Sequence, residues 1–123
     1  EAANLLYSYT EIADRKDVPA VLDLLARARV EFPARTAQGA NELAAHFTGL
    51  WAAPEAHHHI VSNLIVQPTD EPDTFTARAL YTRWLFTPAP VMTTMGEYAM
   101  VVVKDGSWHI RDLRVSRSWQ LEG

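Results

Sequence analysis

His57-His58-His59-Ile60-Val61-Ser62-Asn63-Leu64-Ile65-Val66-Gln67 is where the chain changes its period. The run is rich in β-branched residues and ends at Pro68, which has no N–H to give a sheet ladder. It reads as a strand. Alternation places His59, Val61, Asn63 and Ile65 on one face, and His58, Ile60, Leu64 and Val66 on the other. Beyond it, Asp70-Glu71-Pro72-Asp73 is a polar hairpin loop and Thr74 to Phe86 a second long strand. Pro88-Ala89-Pro90 interrupts the pattern. Met95 to Lys104 is a third strand, Asp105-Gly106 a tight hairpin turn, and Trp108 to Trp119 the last strand. Both faces of these strands carry apolar residues. A sheet with one wet face alternates more cleanly, so one face is expected on helices and the other on a partner subunit.

Upstream of His57 the spacing is helical. Leu5, Tyr9, Ile12 and Ala13 recur at helical intervals from about Ala2 to Asp14. The charged run Asp14-Arg15-Lys16-Asp17 is turn-like. Asp17 is placed to cap a second helix, with Pro19 in its first turn and Val18, Val21, Leu22 and Leu25 as its apolar stripe. Val30-Glu31-Phe32 is a candidate short strand before Pro33. Gly39-Ala40-Asn41 opens a third helix, with Leu43, Phe47 and Leu50 on one face. Helices first and hairpin-linked strands afterwards predict an α+β fold. Three N-terminal helices are expected on a curved, mostly antiparallel four-stranded sheet, in a single domain over residues 1–123.

A chain of 123 residues with 48% hydrophobic content can bury a core without staples. It has no cysteine, which excludes disulfides, thiolate nucleophiles and Cys-based zinc sites. The net charge of −4 argues against nucleic acid as a partner. No apolar run is long enough for a membrane span and no leader is legible, so the expected location is cytoplasmic, without membrane partners. Arg111, Arg114 and Arg117 are spaced by three. That spacing divides them between the two faces of a regular strand and predicts solvated or ion-paired surface arginines.

His57 and His59 share a strand face, and two such imidazoles can hold a metal. No later His-x-His or Glu-rich motif completes a ligand set, so no metal is expected. Asp14 ends an amphipathic helix, five residues after Tyr9. By itself an Asp there is a local hydrogen-bonder; beside an imidazole Nδ1–H it fixes the tautomer and leaves Nε2 free to move protons. Trp51, Trp84, Trp108 and Trp119 are numerous for this length, and strand aromatics serve cores and subunit interfaces more often than ligands. Glu97 shares a face with Met95 and Ala99; it is either paired inside or solvated.

Four segments carry a resemblance: Tyr9-Thr10-Glu11-Ile12-Ala13-Asp14-Arg15-Lys16-Asp17, His59-Ile60-Val61-Ser62-Asn63, Gly96-Glu97-Tyr98, and Lys104-Asp105-Gly106-Ser107-Trp108-His109-Ile110. In order and spacing they resemble SnoaL-like proteins of the nuclear-transport-factor-two-like superfamily. The resemblance implies a cone-shaped pocket between helices and curved sheet, and a homodimer. Within that superfamily the scytalone dehydratases and bile-acid dehydratases use an Asp–His dyad with tyrosines polarising a carbonyl, without a cofactor. Asp14 and His59 match the dyad, and Tyr9 matches the tyrosine ahead of the aspartate in the bile-acid enzymes. Phe32 stands where both have a second tyrosine. Trp84 stands at the second histidine of scytalone dehydratase, and Glu97 near its serine–asparagine pair.

The resulting expectation is an acid–base enzyme of dehydratase, isomerase or cyclase type. Catalysis falls to His59, Asp14 and Tyr9, and a small apolar or aromatic ligand is held by Trp84, Phe32, Glu97, Trp51 and Met95. His59 Nδ1 should lie within hydrogen-bond reach of Asp14, with Nε2 facing a mostly apolar cavity. The alternatives are a non-catalytic ligand-binding or dimeric scaffold protein, and an accessory subunit like the small β subunits of aromatic-ring dioxygenases.

Overall fold

In the computed structural model, which describes residues 1–122, helix α1 (Ala2–Arg15) buries Leu6, Tyr9, Ile12 and Ala13. It stops at Lys16, which takes the left-handed conformation (φ 55°). The Asp17 side chain accepts from the Ala20 N–H at 3.1 Å and starts α2 (Val18–Leu24). A short antiparallel hairpin follows, β1 (Arg29–Phe32) with β2 (Arg35–Gln38), and then α3 (Ala40–Leu50). The long strands are β3 (His57–Pro68), β4 (Thr74–Leu85), β5 (Val91–Asp105) and β6 (Ser107–Gln120).

The sheet has six strands in the order β2-β1-β6-β5-β4-β3. The four-stranded expectation is corrected here. The Val30–Phe32 segment is joined by β2, and β1 docks parallel to β6, with Val30 opposite Leu113, so the sheet is mixed. The core lies between one sheet face and the helices. Its fully buried members include Leu6, Val21, Leu25, Leu43, Phe47, Val102 and Ile110. No described helix is long and apolar enough to cross a membrane.

Bulges interrupt the long strands and decide which residues face the core. On β3, Asn63 and Leu64 together oppose the single residue Ala79, and Asn63 takes φ 57°. Thr93 is the extra residue of β5 against β4, and Arg111 and Ser118 are the extra residues of β6 against β5. Each extra residue inverts the alternation beyond it. Leu64 therefore packs on the core and Ile65 is exposed, opposite to strict alternation. The arginines are divided between the two faces, Arg114 outward and Arg117 inward. Arg111 sits at a bulge and pairs with Glu71 at 3.2 Å, while Arg117, opposite Gly96, lines the inner face.

Candidate functional site

A cavity of about 300 Å³ opens between the helices and the inner sheet face. Tyr9 and Ala13 of α1, Trp51 at the end of α3, Phe32 of β1 and a row of strand residues enclose it. His57 and His59 enter from β3, Tyr81 and Arg83 from β4, Tyr98 from β5 and Arg117 from β6. A larger hollow of about 400 Å³ lies on the opposite sheet face, beside Arg78 and Arg114 and away from the histidines.

Asp14 reaches the cavity wall because α1 runs onto the start of β3. Its Oδ1 accepts both the His59 backbone N–H (2.8 Å) and His59 Nδ1–H (2.7 Å). Two donors on one oxygen fix the carboxylate, and the carboxylate fixes the imidazole with Nε2 as its free nitrogen. Only a tenth of the His59 side chain and a sixth of the Asp14 side chain meet solvent. His58 Nδ1 lies 3.6 Å from Asp14 Oδ2, but that ring is mostly exposed. Lys16 Nζ donates to the carbonyls of Ala53 and Glu55, tying the end of α1 to the segment that leads into β3.

His57 is buried beside the dyad, its ring centroid 4.9 Å from that of His59. Its Nε2–H donates to Ala13 O, and its Nδ1 accepts from Arg83 Nε at 3.0 Å. Burial first, then the charges of His59, Arg83 and Lys16, lower its pKa to about 4 against the raising effect of the Ala13 carbonyl. His57 is thus a neutral spacer in the Nε2–H tautomer. Ligand atoms of Asp14, His57 and His59 lie within 4.8 Å of one another, a spacing that a divalent cation can use. The donor set does not suit one. Both His57 nitrogens are engaged, one as the acceptor of a cationic guanidinium that a metal ion would have to displace.

Three tyrosines line the floor. Tyr9 meets Tyr98 edge-on at 5.6 Å, and Tyr98 stacks on Tyr81 at 4.3 Å. Burial raises the pKa of all three, so each hydroxyl stays protonated and able to donate. Tyr81 lies across Gly96. A Cβ there would sit 2.7 Å from the Tyr81 ring and 2.0 Å from the Ser116 carbonyl oxygen.

Of the residues expected to hold a ligand, Phe32 and Trp51 line the cavity. Trp84, Glu97 and Met95 do not. Met95 (43% exposed) and Glu97 lie on the outer face, paired with Trp119 and Ser116. Trp84 faces outward beside Met92 and donates to Thr82 Oγ1. The resemblance singles out Trp84, but it shares the parity of Arg78 and Leu80, which are exposed, whereas Ala77, Ala79, Tyr81 and Arg83 point to the core and the cavity. The β3 bulge sets Arg83, not Trp84, opposite His59. Sequence reasoning missed His57 as a spacer and Arg83, Arg117, Tyr81 and Tyr98 as wall residues. The one available signal was parity with Gly96, which marks the inner face of β5.

The chain belongs to the SnoaL-like domain family, whose profile matches residues 1–114, and it has the nuclear-transport-factor-two-like fold. A search of curated proteins finds no match. Among solved structures it is similar to a Nostoc punctiforme PCC 73102 protein of unknown function with a cystatin-like fold. That match has 20% identity, covers 96% of this chain and 89% of the other, and has a TM-score of 0.83. A Novosphingobium aromaticivorans DSM 12444 protein, provisionally assigned as a scytalone dehydratase, matches at 16% identity over 99% and 85% of the two chains, with a TM-score of 0.80. The β subunit of a provisionally assigned aromatic-ring-hydroxylating dioxygenase from the same organism matches at 12% identity over 99% and 90%, with a TM-score of 0.81. At these identities the likenesses establish the fold alone.

Proposed function

We propose that this chain is an acid–base enzyme of the dehydratase, isomerase or cyclase type, acting on a cyclic or polyketide-like carbonyl compound. The observation that carries this reading is the 2.7 Å contact of Asp14 Oδ1 with His59 Nδ1 at the wall of a cavity of about 300 Å³. His59 Nε2 takes a proton from the carbon next to the carbonyl, and the protonated ring returns it to carbon or to a leaving hydroxyl. Tyr9 donates to the oxygen on which enolate charge develops, with Tyr81 and Tyr98 beside it. Phe32 and Trp51 form the apolar wall. Proton transfer of this kind needs no cofactor.

The test is exchange of solvent deuterium into the α-carbon of cyclic aryl ketones, with and without a ring carboxylate, followed by NMR. Exchange above the buffer rate is expected. His59→Ala should reduce it by about 10²–10⁴. Asp14→Asn should reduce it at least about tenfold, because an amide that donates to Nδ1 selects the wrong tautomer. If no ketone exchanges, or if His59→Ala exchanges at the full rate, the enzyme reading fails and a binding or accessory role takes its place.

A second copy of the chain is the proposed partner. The outer sheet face exposes Ile60, Leu80, Met95 and Trp119 on neighbouring strands, with no element of the described residues over them.

A further inference from the structure

Arg83 is the least explained group in the cavity. It is directly opposite His59 on the adjacent strand, half-buried, and held by neutral acceptors alone. Its Nε donates to His57 Nδ1 and its Nη1 to Thr93 Oγ1, both at 3.0 Å. Nη2 has no acceptor among the described residues. No carboxylate of the described residues lies within ion-pair distance; Glu55 acts on it only from further away. Burial lowers the pKa of this guanidinium, against the smaller raising effects of Glu55 and Tyr81.

Arg117 adds a second cation at the mouth. It too has no ion-pair partner among the described residues, and Gly96, its cross-strand partner, leaves room for the Tyr81 ring on the same inner face. Both guanidinium charges act on the Tyr81 hydroxyl. The carboxylate of Asp14, at the cavity wall, is engaged by His59, and no other Asp or Glu of the described residues lines the cavity. Two guanidinium groups without a counter-ion, beside one apolar wall, make a receptor for an anion with a ring attached.

We infer that the substrate is an anionic carbonyl compound whose carboxylate is held by Arg83 and Arg117 while its acidic carbon faces His59. The inference rests on the enzyme reading for the orientation of the carbon, but the charge preference is separate from turnover. A fixed pair of cations also offsets the repulsion between the carboxylate and the enolate charge that develops near it.

Calorimetric titration with 2-naphthoate and with its neutral isostere 2-naphthamide tests the preference. At low ionic strength and a pH of about 8, where a free imidazole is neutral, the carboxylate should bind at least about tenfold more tightly. The gap should narrow to within about threefold in Arg83→Gln and shrink measurably in Arg117→Gln, and salt should narrow it in the parent protein. Arg117 is exposed, so its variant retains the fold even if Arg83→Gln, which also unties His57, does not. His59→Ala should keep the preference while it loses proton exchange, so the two readings fail separately. Equal affinities, a preference that survives Arg117→Gln unchanged, or no binding of either compound overturns the inference.

Discussion

At the scale of single residues, Asp14 and His59 are local facts turned into a long-range one. They are 45 positions apart, and the sequence offered their identities and the elements that hold them, but no distance. The neighbour His57 is the opposite case. As part of a triple-histidine run it drew attention as a metal ligand, yet the fold places it against the Ala13 carbonyl and Arg83. With its folded pKa lowered to about 4, the unfolded chain binds a proton that the folded chain refuses as pH falls below the ordinary histidine value. Its contribution is therefore fully present above pH ~6.5 and is lost progressively between ~6.5 and ~4. Urea titrations across that window should show stability falling by up to about 3 kcal/mol in the parent. His57→Gln, which has no proton to gain, should flatten that part of the profile; an unchanged slope would show that other groups control it.

At the scale of elements, the strands were legible in the composition of His57–Gln67 and its successors, but their faces were not. A bulge inverts alternation at a point that no period-two pattern marks. Asn63 takes up the β3 bulge with φ 57°, a conformation that asparagine tolerates and a β-branched residue does not. Asn63→Val should cost about 1–2 kcal/mol in denaturant titrations, and Asn63→Gly should cost far less. Because the same bulge puts Arg83 opposite His59, Asn63→Val should also lower proton exchange more than its stability loss explains. Gly96 has an ordinary φ but no room. A methyl group there meets the Ser116 backbone oxygen and the Tyr81 ring, so Gly96→Ala should destabilise by about 1–3 kcal/mol. The urea midpoint reports it, and a neutral Gly96→Ala would mean that β5 and β6 slide apart easily.

At the scale of the whole molecule, one sheet face closes a cavity with the helices and the other carries an exposed apolar patch of Ile60, Leu80, Met95 and Trp119. If a second copy covers that outer face, sedimentation should show a dimer at micromolar concentration. Met95→Lys should then shift the chain to monomer, since a charge would be buried at the centre of the patch. In the monomer the same exposed substitution costs no more than about 0.5 kcal/mol. A parent that sediments as a monomer removes the dimer from consideration. The sequence by itself determined the α+β class, the Asp17 cap of α2 and the hairpin at Gly106, because propensity, capping and hydrophobic period are read within a few neighbouring residues; Asp14 and His59 were marked as a dyad by the resemblance of the segments that carry them. It placed Trp84, Glu97 and Met95 at the cavity, and the tertiary structure moved all three to the outer face. Only the folded chain decided that β1 and β2 extend the sheet, that His57 is a spacer, and that Arg83 and Arg117 stand at the site without an ion-pair partner among the described residues. The physical reason is that face and register belong to strand pairs, not to strands. One extra residue in one ladder changes every partner beyond it, and that residue is chosen by packing across the whole sheet.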